Sequence, residues 1–360
     1  MSGPGSRPPV TIAVVNFNGA RYLPDCLAAI AAQTVAPLET LVVDNDSTDG
    51  SAALAEGRPG VRVLRLGTNF GPGSARNAGL AAATTRLVLL MDNDVILQPD
   101  CLERLLEAFL ARDADAPVAL VQARTVFDDR PDLVQCDGGT IHFLGAMILR
   151  HGHLPVAGLG PAAEPVDSAI TTAVLVDRDR IRSVGGFDEE FFIYFEDHDC
   201  AVRARLAGFE LLAAGAAVVR HRGGTADLSF RTGGTYTARR FYLQLRNRWL
   251  FVLKNYPLRT LLALLPALAM FEAFSFGYTL KKGFLTTWFR AAFWMVGHAP
   301  QILARRREAR ARARVRLATL LQDGPYPLHP GLLKGGWQTR LVGLLDGATN
   351  TWWRVVRGIA

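Results

Sequence analysis

A chain of 360 residues and 39.1 kDa is long enough for two or three domains and an enzyme-sized core, which excludes a small scaffold stapled by disulfides or metal. With 49% hydrophobic and 20% charged residues, and no repeat or biased tract in its middle, it is globular rather than disordered. The net charge of +7 divides near residue 230: residues 1–230 carry 19 Lys+Arg against 29 Asp+Glu, a net of −10, and residues 231–360 carry 21 against 4, a net of +17. An acidic body thus bears a basic appendage suited to an anionic surface.

Residues 1–9 read as a disordered N-terminus, and MSGPGSRPPV lacks the apolar core of a secretion signal, so the chain is expected to stay in the cytoplasm. Cys26, Cys101, Cys136 and Cys200 form no CxxC pair, which fits a reducing compartment. VTIAVV (10–15) predicts a strand ending at Asn16-Phe17-Asn18-Gly19, the spacing of Leu23, Leu27 and Ile30 a helix over 21–33, and LETLVV (38–43) a second strand ending at Asp44. A strand at 61–66 leads into Asn69-Phe70-Gly71-Pro72-Gly73, then a helix at about 74–83 and the strand LVLLM (87–91) ending at Asp92. This alternation requires a mostly parallel sheet with right-handed crossovers, and ligands of such sheets bind beyond the carboxyl ends of the strands. Asn16, Asp44, Asn69 and Asp92 each follow a strand, so that edge is the candidate site.

After a helix at 100–111, residues 117–165 mix short strands with loops, and 166–177 read as a strand feeding a helix near 178–184 that Gly185 and Gly186 end. Residues 196–207 predict a helix whose polar face carries Glu196, Asp197, Arg203 and Arg205, and 211–219 a strand running into His221. Beyond 230, residues 236–256 read as an amphipathic helix. TLLALLPALAMF (260–271) is strongly apolar, but Pro266 and Glu272 interrupt the roughly 20 residues that a bilayer span requires. A second stretch, 284–303, is interrupted by Arg290 and His298 and followed by Arg305, Arg306, Arg307, Arg310, Arg312, Arg314 and Arg316, with only Glu308 opposing them. Apolar faces beside arginines fit helices lying in the interface of an anionic membrane; a true span, or packing on the protein's own body, are the alternatives. No nucleic acid partner is expected, because an RNA-binding tail has no need of such apolar runs. A tail helix is expected within 326–360.

Asp92-Asn93-Asp94 places two carboxylates one residue apart at a strand end, where they can share Mg2+ or Mn2+ together with phosphate oxygens; the same triplet also forms ordinary turns. Asp44-Asn45-Asp46-Ser47-Thr48-Asp49-Gly50 is explained equally by a helix cap. NFGPGSARNAG (69–79) supplies glycines for close backbone approach and Arg76 for a phosphate or ribose, but matches neither GxxxxGKS nor GxGxxG.

Together, VNFNG (15–19), VDNDSTDGS (43–51), NFGPGSARNAG (69–79), MDNDV (91–95) and GGFDEEFFIYFEDHDCAVRARLAGF (185–209) resemble the inverting family 2 glycosyltransferases, and within them the bacterial rhamnosyltransferase-like branch. The resemblance covers about residues 10–225 and extends more loosely through 241–257. It implies an α/β, GT-A nucleotide-sugar-binding fold with a mostly parallel central sheet over 10–230 (a nucleotide-sugar half, 10–98, and an acceptor half, 99–230), followed by a helical, apolar and basic extension whose membrane-associating helices span 231–325. It implies a nucleotide diphosphate sugar donor whose base faces Asp44, with Asn16, Phe17, Asn18, Asp46, Asn93, Arg76 and Asn77 on the nucleotide side. Asp92 and Asp94 would bracket ribose, diphosphate and a Mg2+ or Mn2+ ion, with His221 completing the metal shell; a surface histidine is the competing reading there. Asp197 would be the general base, Glu196 would orient the acceptor, and Gly186, Phe187 and Asp188 would line the acceptor side.

Against the base role stands an ordinary salt bridge from Asp197 to Arg203 or Arg205. Val95-Ile96-Leu97, directly after the triplet, does not discriminate Mg2+ from Mn2+. The resemblance favours rhamnose transfer to a polysaccharide, O-antigen or lipid-linked saccharide at the inner face of the cell membrane, in a chain that can also form a homo-oligomer. The competing functions are a polyprenyl-phosphate sugar synthase, against which the Glu196-Asp197 pair argues, and a catalytically silent membrane scaffold. A nucleotidyltransferase is disfavoured because no lysine precedes Lys254.

Overall fold

Short apolar runs bounded by Gly, Pro and Asn become buried strands, and the 3.6-residue patterns between them become the helices that cover the sheet. The structure is a computed structural model that describes residues 8–223, 237–325, 327 and 336–360; the expectations for residues 1–7 and for the start of the tail at 326 and 328–335 lie outside the described residues. In chain order the elements are β1 (Val10–Asn16), α1 (Leu23–Ala31), β2 (Glu39–Asp44), α2 (Ser51–Glu56), β3 (Val61–Arg65), α3 (Pro72–Ala82), β4 (Leu87–Asp92), β5 (Val95–Leu97), α4 (Cys101–Asp113), β6 (Val118–Phe127), β7 (Val134–Cys136), β8 (Gly139–His142) and β9 (Ala146–Leu149). They continue as β10 (Ala163–Val166), β11 (Ala173–Asp177), α5 (Arg178–Ser183), α6 (Glu196–Leu206), β12 (Glu210–His221), α7 (Ala238–Asn255), α8 (Leu258–Lys282), α9 (Leu285–Gly297), α10 (Ala299–Arg312), β13 (Leu321–Gln322) and α11 (Gly336–Val356).

The described residues within Met1–Gly139 and Leu149–Gly234 form one compact unit, and those within Thr140–Ile148 and Thr235–Ala360 a second. The first unit is built on a ten-stranded sheet of order β10-β12-β6-β11-β4-β1-β2-β3, with β5 on β12 and β7 on β6. β3, β2, β1 and β4 are mutually parallel, as are β6 and β12, while β11 runs antiparallel between β4 and β6. Ile12 and Val14 of β1 point into a core with Leu23, Leu27 and Ile30 of α1 and Leu105 and Phe109 of α4. Ala13 faces the other layer, with Leu80 of α3, Ile181 of α5 and Ala201 of α6. Helices on both faces bury both sides of the strands, which is why those strands read as continuous apolar runs.

Three expectations are corrected. The region opening at 117 begins with a ten-residue strand, β6, fully buried along its length; its pattern was broken by Gln122 and Arg124, whose polar groups are satisfied inside by the Ile170 amide and Asp137. The strand expected over 166–177 is confined to β10 and β11, and residues 167–172 between them are irregular. α6 has no solvated polar face: Glu196, Asp199 and Arg203 are buried, Arg203 pairs with Asp199 at 2.7 Å and Arg205 with Asp167 at 3.1 Å. The competing reading of Asp197, an ion pair with Arg203 or Arg205, is not realised, because those arginines are taken by Asp199 and Asp167.

In the second unit β13, β8 and β9 make a three-stranded sheet beside helices α7 to α11. α8 continues for 25 residues through Pro266, from Pro257 to a left-handed C-cap at Gly283, with Lys281 and Lys282 in the last turn, where cations suit the helix dipole. Proline therefore does not interrupt this helix, and the Glu272 carboxylate is taken up by Arg248. With a mean hydropathy of 1.6 in its most apolar window, α8 is the one helix among the described residues long and apolar enough to cross a membrane by length and composition.

Candidate active site

The parallel strands β1, β2 and β4 end side by side, and Asp44, Asn16 and Asn93, the residue after β4, form one hydrogen-bonded line. Buried Asn16 donates from Nδ2 to Asp44 Oδ1 (2.8 Å) and Ser51 Oγ (2.8 Å), and accepts on Oδ1 from Asn93 Nδ2 (2.8 Å). Asp44 Oδ2 accepts the Ser47 amide, and Ser47 Oγ accepts the Asn18 amide at 2.9 Å. The helix-cap reading of residues 44–51 is not realised, since Gly50 is the N-cap of α2 and no side chain caps it; Asp49 accepts the Ser51 amide one residue further out, and the same residues tie the strand ends together. Phe17, Asn18 and Asp46 stand exposed at this edge, Asn18 and Asp46 in the left-handed conformation that short polar side chains tolerate. Asn69, past β3, joins them by accepting from Asn45 Nδ2 at 2.9 Å.

Beside this line, Asp92, Asp94 and His221 bring one potential ligand atom each to within 4.8 Å of one another. β5 carries the strand end back across β12, which sets Val95 opposite His221. His221 Nε2 is 3.3 Å from Asp94 Oδ2, and its Nδ1 faces Gln135 Oε1 at 2.9 Å. An Nδ1–H donated to Gln135 leaves Nε2 as a lone-pair ligand, the arrangement of metal-bound histidines. Two hard carboxylates and one oriented imidazole fit a Mg2+ or Mn2+ ion.

Arg76, buried on α3, joins this cluster to α6. It donates from Nη2 to Asp92 Oδ1 (2.7 Å) and from Nη1 to Glu196 Oε1 (3.3 Å), with the Phe187 ring 5.8 Å away. Burial, reinforced by Asp94, pushes the Asp92 carboxyl up to about 6 even against Arg76. Burial and the neighbouring Asp197 push Glu196 up to about 8. Asp197 is also raised by burial, opposed chiefly by Arg76. Its side chain is half-buried and Oδ1 accepts the His198 amide at 2.7 Å.

Several of the residues that the resemblance singles out are engaged within the protein itself. The Asn77 amide is bonded to Phe187 N, Phe187 O and Glu189. The Phe187 side chain is 2% exposed and belongs to the core, so only its backbone borders the site. Gly185 and Gly186, at φ 93° and 61°, end α5 by returning amides to Arg182 O and Ile181 O, and Asp188 caps the turn at Glu190. Sequence reasoning gave no role to Gln135, which is 86 residues from His221 and carries no motif, or to Gly19, where a Cβ would stand 2.0 Å from Asn93 Nδ2 and 2.3 Å from Asn16 Oδ1.

A doubly covered sheet with carboxylates gathered at the ends of its parallel strands defines an α/β fold that binds its ligand at that edge. The family model described as Glycosyl transferase family 2 matches residues 11–149, and that described as Glycosyl transferase family group 2 matches residues 87–305. The chain belongs to the family 2 glycosyltransferases. It is 30% identical over 236 residues to N-acetylglucosaminyl-diphospho-decaprenol L-rhamnosyltransferase of Mycobacterium tuberculosis, covering 58% of this chain and 75% of that protein. It is 35% identical over 136 residues to the succinoglycan biosynthesis protein ExoO of Rhizobium meliloti, covering 37% of this chain but only 36% of that relative. Among solved structures, GalNAc-T7 with UDP, GalNAc and Mn2+ superposes with a TM-score of 0.54 at 15% identity, over 73% of this chain and 51% of that one. That likeness carries the GT-A fold.

Proposed function

We propose that the chain is an inverting transferase that moves a sugar, rhamnose first among the choices, from a nucleotide diphosphate donor to a hydroxyl of a saccharide or lipid-linked saccharide, with Asp197 as general base. The observation that carries this is the single charged path of Asp92, Arg76 and Glu196, which leads from the cluster of Asp92, Asp94 and His221 to the N-terminus of α6, where the half-buried Asp197 stands beside Glu196. Rhamnose and a lipid-linked acceptor rest on the name of the Mycobacterium tuberculosis relative.

In this reading the donor base lies against Asp44, Asn16 and the backbone at Phe17, with Asn18, Asp46 and Asn93 around it. Asp197 takes the acceptor hydroxyl proton as the oxygen attacks the anomeric carbon and the bond to the diphosphate breaks on the opposite face, which inverts the centre. Glu196 holds the acceptor side, and Arg76 offsets the carboxylates around it. Bound by Asp92, Asp94 and His221, Mg2+ or Mn2+ supplies Lewis-acid neutralisation of the leaving diphosphate. The basic C-terminal helices keep this cytoplasmic enzyme against the inner face of the membrane, near its acceptor.

The test is Asp197→Asn, assayed with dTDP-, UDP- and GDP-sugars. Turnover should fall by about 10²-fold or more, the scale of general-base catalysis, while calorimetric donor affinity stays within a few-fold. Near-normal turnover would remove the mechanism.

A further inference from the structure

The segment from Gly186 to Glu196, which leads into the proposed base, is built onto one helix. Asn77 of α3 accepts the Phe187 amide on Oδ1 (2.9 Å) and donates from Nδ2 to Phe187 O (2.8 Å) and Glu189 Oε1 (3.0 Å). A side-chain amide that pairs with both the N–H and the C=O of one residue holds the two peptides flanking it as a strand partner would. Gly186 is shaped to this contact: at φ 61° its Cβ would lie 2.6 Å from Asn77 Oδ1.

The start of the same helix, Gly71 at its N-cap and Gly73 in its first turn, meets the far end of the segment. A Cβ on Gly71, at φ 89°, would lie 2.1 Å from the Phe192 carbonyl oxygen, and one on Gly73 would touch Glu196 Cγ at 3.4 Å. Between these anchors the backbone is strained. Phe192, at φ 62° and ψ −69°, turns the chain with an Ile193 amide to Phe191 O bond of 2.8 Å, the rare γ-turn of positive φ, and Tyr194 and Phe195 follow at φ 68° and 71°. Three consecutive-but-one bulky residues in the left-handed region persist only where their surroundings over-determine them. Among those surroundings, Gly71 at the N-cap of α3 and Gly73 in its first turn lie against the two ends of this stretch, at Phe192 and Glu196.

We propose that Asn77 is a positioning residue for the acceptor side of the reaction: through Phe187 it holds the strained turn at Phe192–Phe195, and with it Glu196 and Asp197, against the helix that follows the donor loop. This rests on the base role of Asp197. Asn77 contributes to transfer and not to donor binding, which separates it from the nucleotide-side role that the resemblance implies.

The experiment compares Asn77→Ala and Asn77→Asp with the wild-type full chain. Asn77→Asp keeps the shape and the Oδ1 acceptor but removes both donated bonds. Donor Kd, measured by calorimetry with the nucleotide sugar and Mn2+, should stay within about twofold in both variants. The kcat for transfer should fall by about 10- to 100-fold, the cost of a misplacement near 1 Å, and acceptor KM should rise, while slow donor hydrolysis by water changes less. Donor Kd weakened tenfold in step with transfer, unchanged transfer, or loss of the folded circular dichroism spectrum in both variants would each overturn the proposal. Asp197→Asn run in parallel keeps the two readings apart: its near-normal turnover would remove the base while leaving the Asn77 comparison of donor Kd with kcat readable.

Discussion

Arg76 Nη1 lies 3.3 Å from Glu196 Oε1, a buried pair that bridges 120 residues of sequence and joins α3 to the first turn of α6. The same guanidinium holds Asp92 at 2.7 Å. One cation therefore offsets carboxylates on the metal side and the acceptor side at once. Removing the guanidinium leaves the buried Asp92 and Glu196 oxygens without their shared donor, a loss of about 1–3 kcal/mol for each unsatisfied group. Arg76→Met should lower unfolding free energy by about 3 kcal/mol and weaken metal-dependent donor binding, both read from denaturation and calorimetry. A variant as stable as the wild type would show that the pair is energetically idle.

Glu196 titrates the other way from an ordinary paired carboxylate. Burial raises its folded-state carboxyl to about 8, so the unfolded chain gives up this proton first as pH rises. Its neutral form is accommodated fully below about 4.5, and stability is lost progressively as pH climbs from there to about 8. Glu196→Gln, neutral throughout, should flatten the fall in melting temperature across that window. An unchanged slope between pH 5 and 8 would place the titration elsewhere.

Gln135 Oε1 stands 2.9 Å from His221 Nδ1, placed to accept an Nδ1–H and leave Nε2 for a metal. Residues that orient metal-bound histidines are typically worth 10- to 100-fold in affinity. Gln135→Ala should weaken Mn2+ binding by about that factor with little effect on metal-free nucleotide binding, and Asp94→Ala should abolish the metal dependence. Identical calorimetric affinity with and without metal in the wild type would remove the site.

The mostly parallel sheet and the edge that carries Asn16, Asp44 and Asp92 were legible because buried parallel strands write themselves as apolar runs that stop at polar residues; the strand order was not. Contacts of long sequence separation were not. Gln135 meets His221 over 86 residues and Asn77 meets Phe187 over 110, and neither pairing has a local pattern. β6 was hidden because Gln122 and Arg124 interrupt its pattern while their partners lie in other segments. Pro266 misled in the opposite sense: a proline read as an interruption sits inside a continuous helix.

Gly19 carries no side chain because the pair Asn16 and Asn93 occupies that space. Gly19→Ala must displace the Asn93 amide from 2.0 Å, and overpacking of this kind typically costs 1–3 kcal/mol. Donor affinity should fall about tenfold or more, because the displaced bond joins the Asp44 side of the cleft to Asp92-Asn93-Asp94. Wild-type donor affinity would show that the two halves of the site act independently.

On α9, Phe289, Phe293 and Val296 follow helical spacing and are exposed, Phe293 at 73% and Val296 at 74%. The arginines of residues 305–316 follow in the same unit. An apolar stripe beside concentrated positive charge should bind vesicles containing phosphatidylglycerol and not those of phosphatidylcholine alone, each arginine near the surface adding about 1 kcal/mol. At about 1 M salt, where the Debye length is about 3 Å, flotation should drop sharply, and Phe293→Ser with Val296→Ser should weaken what remains. Equal flotation with neutral vesicles would assign the binding to the apolar α8 instead, since a helix that enters hydrocarbon needs no anionic lipid. Absence of flotation with either vesicle would remove the membrane from the function altogether, leaving the stripe as a surface for another protein.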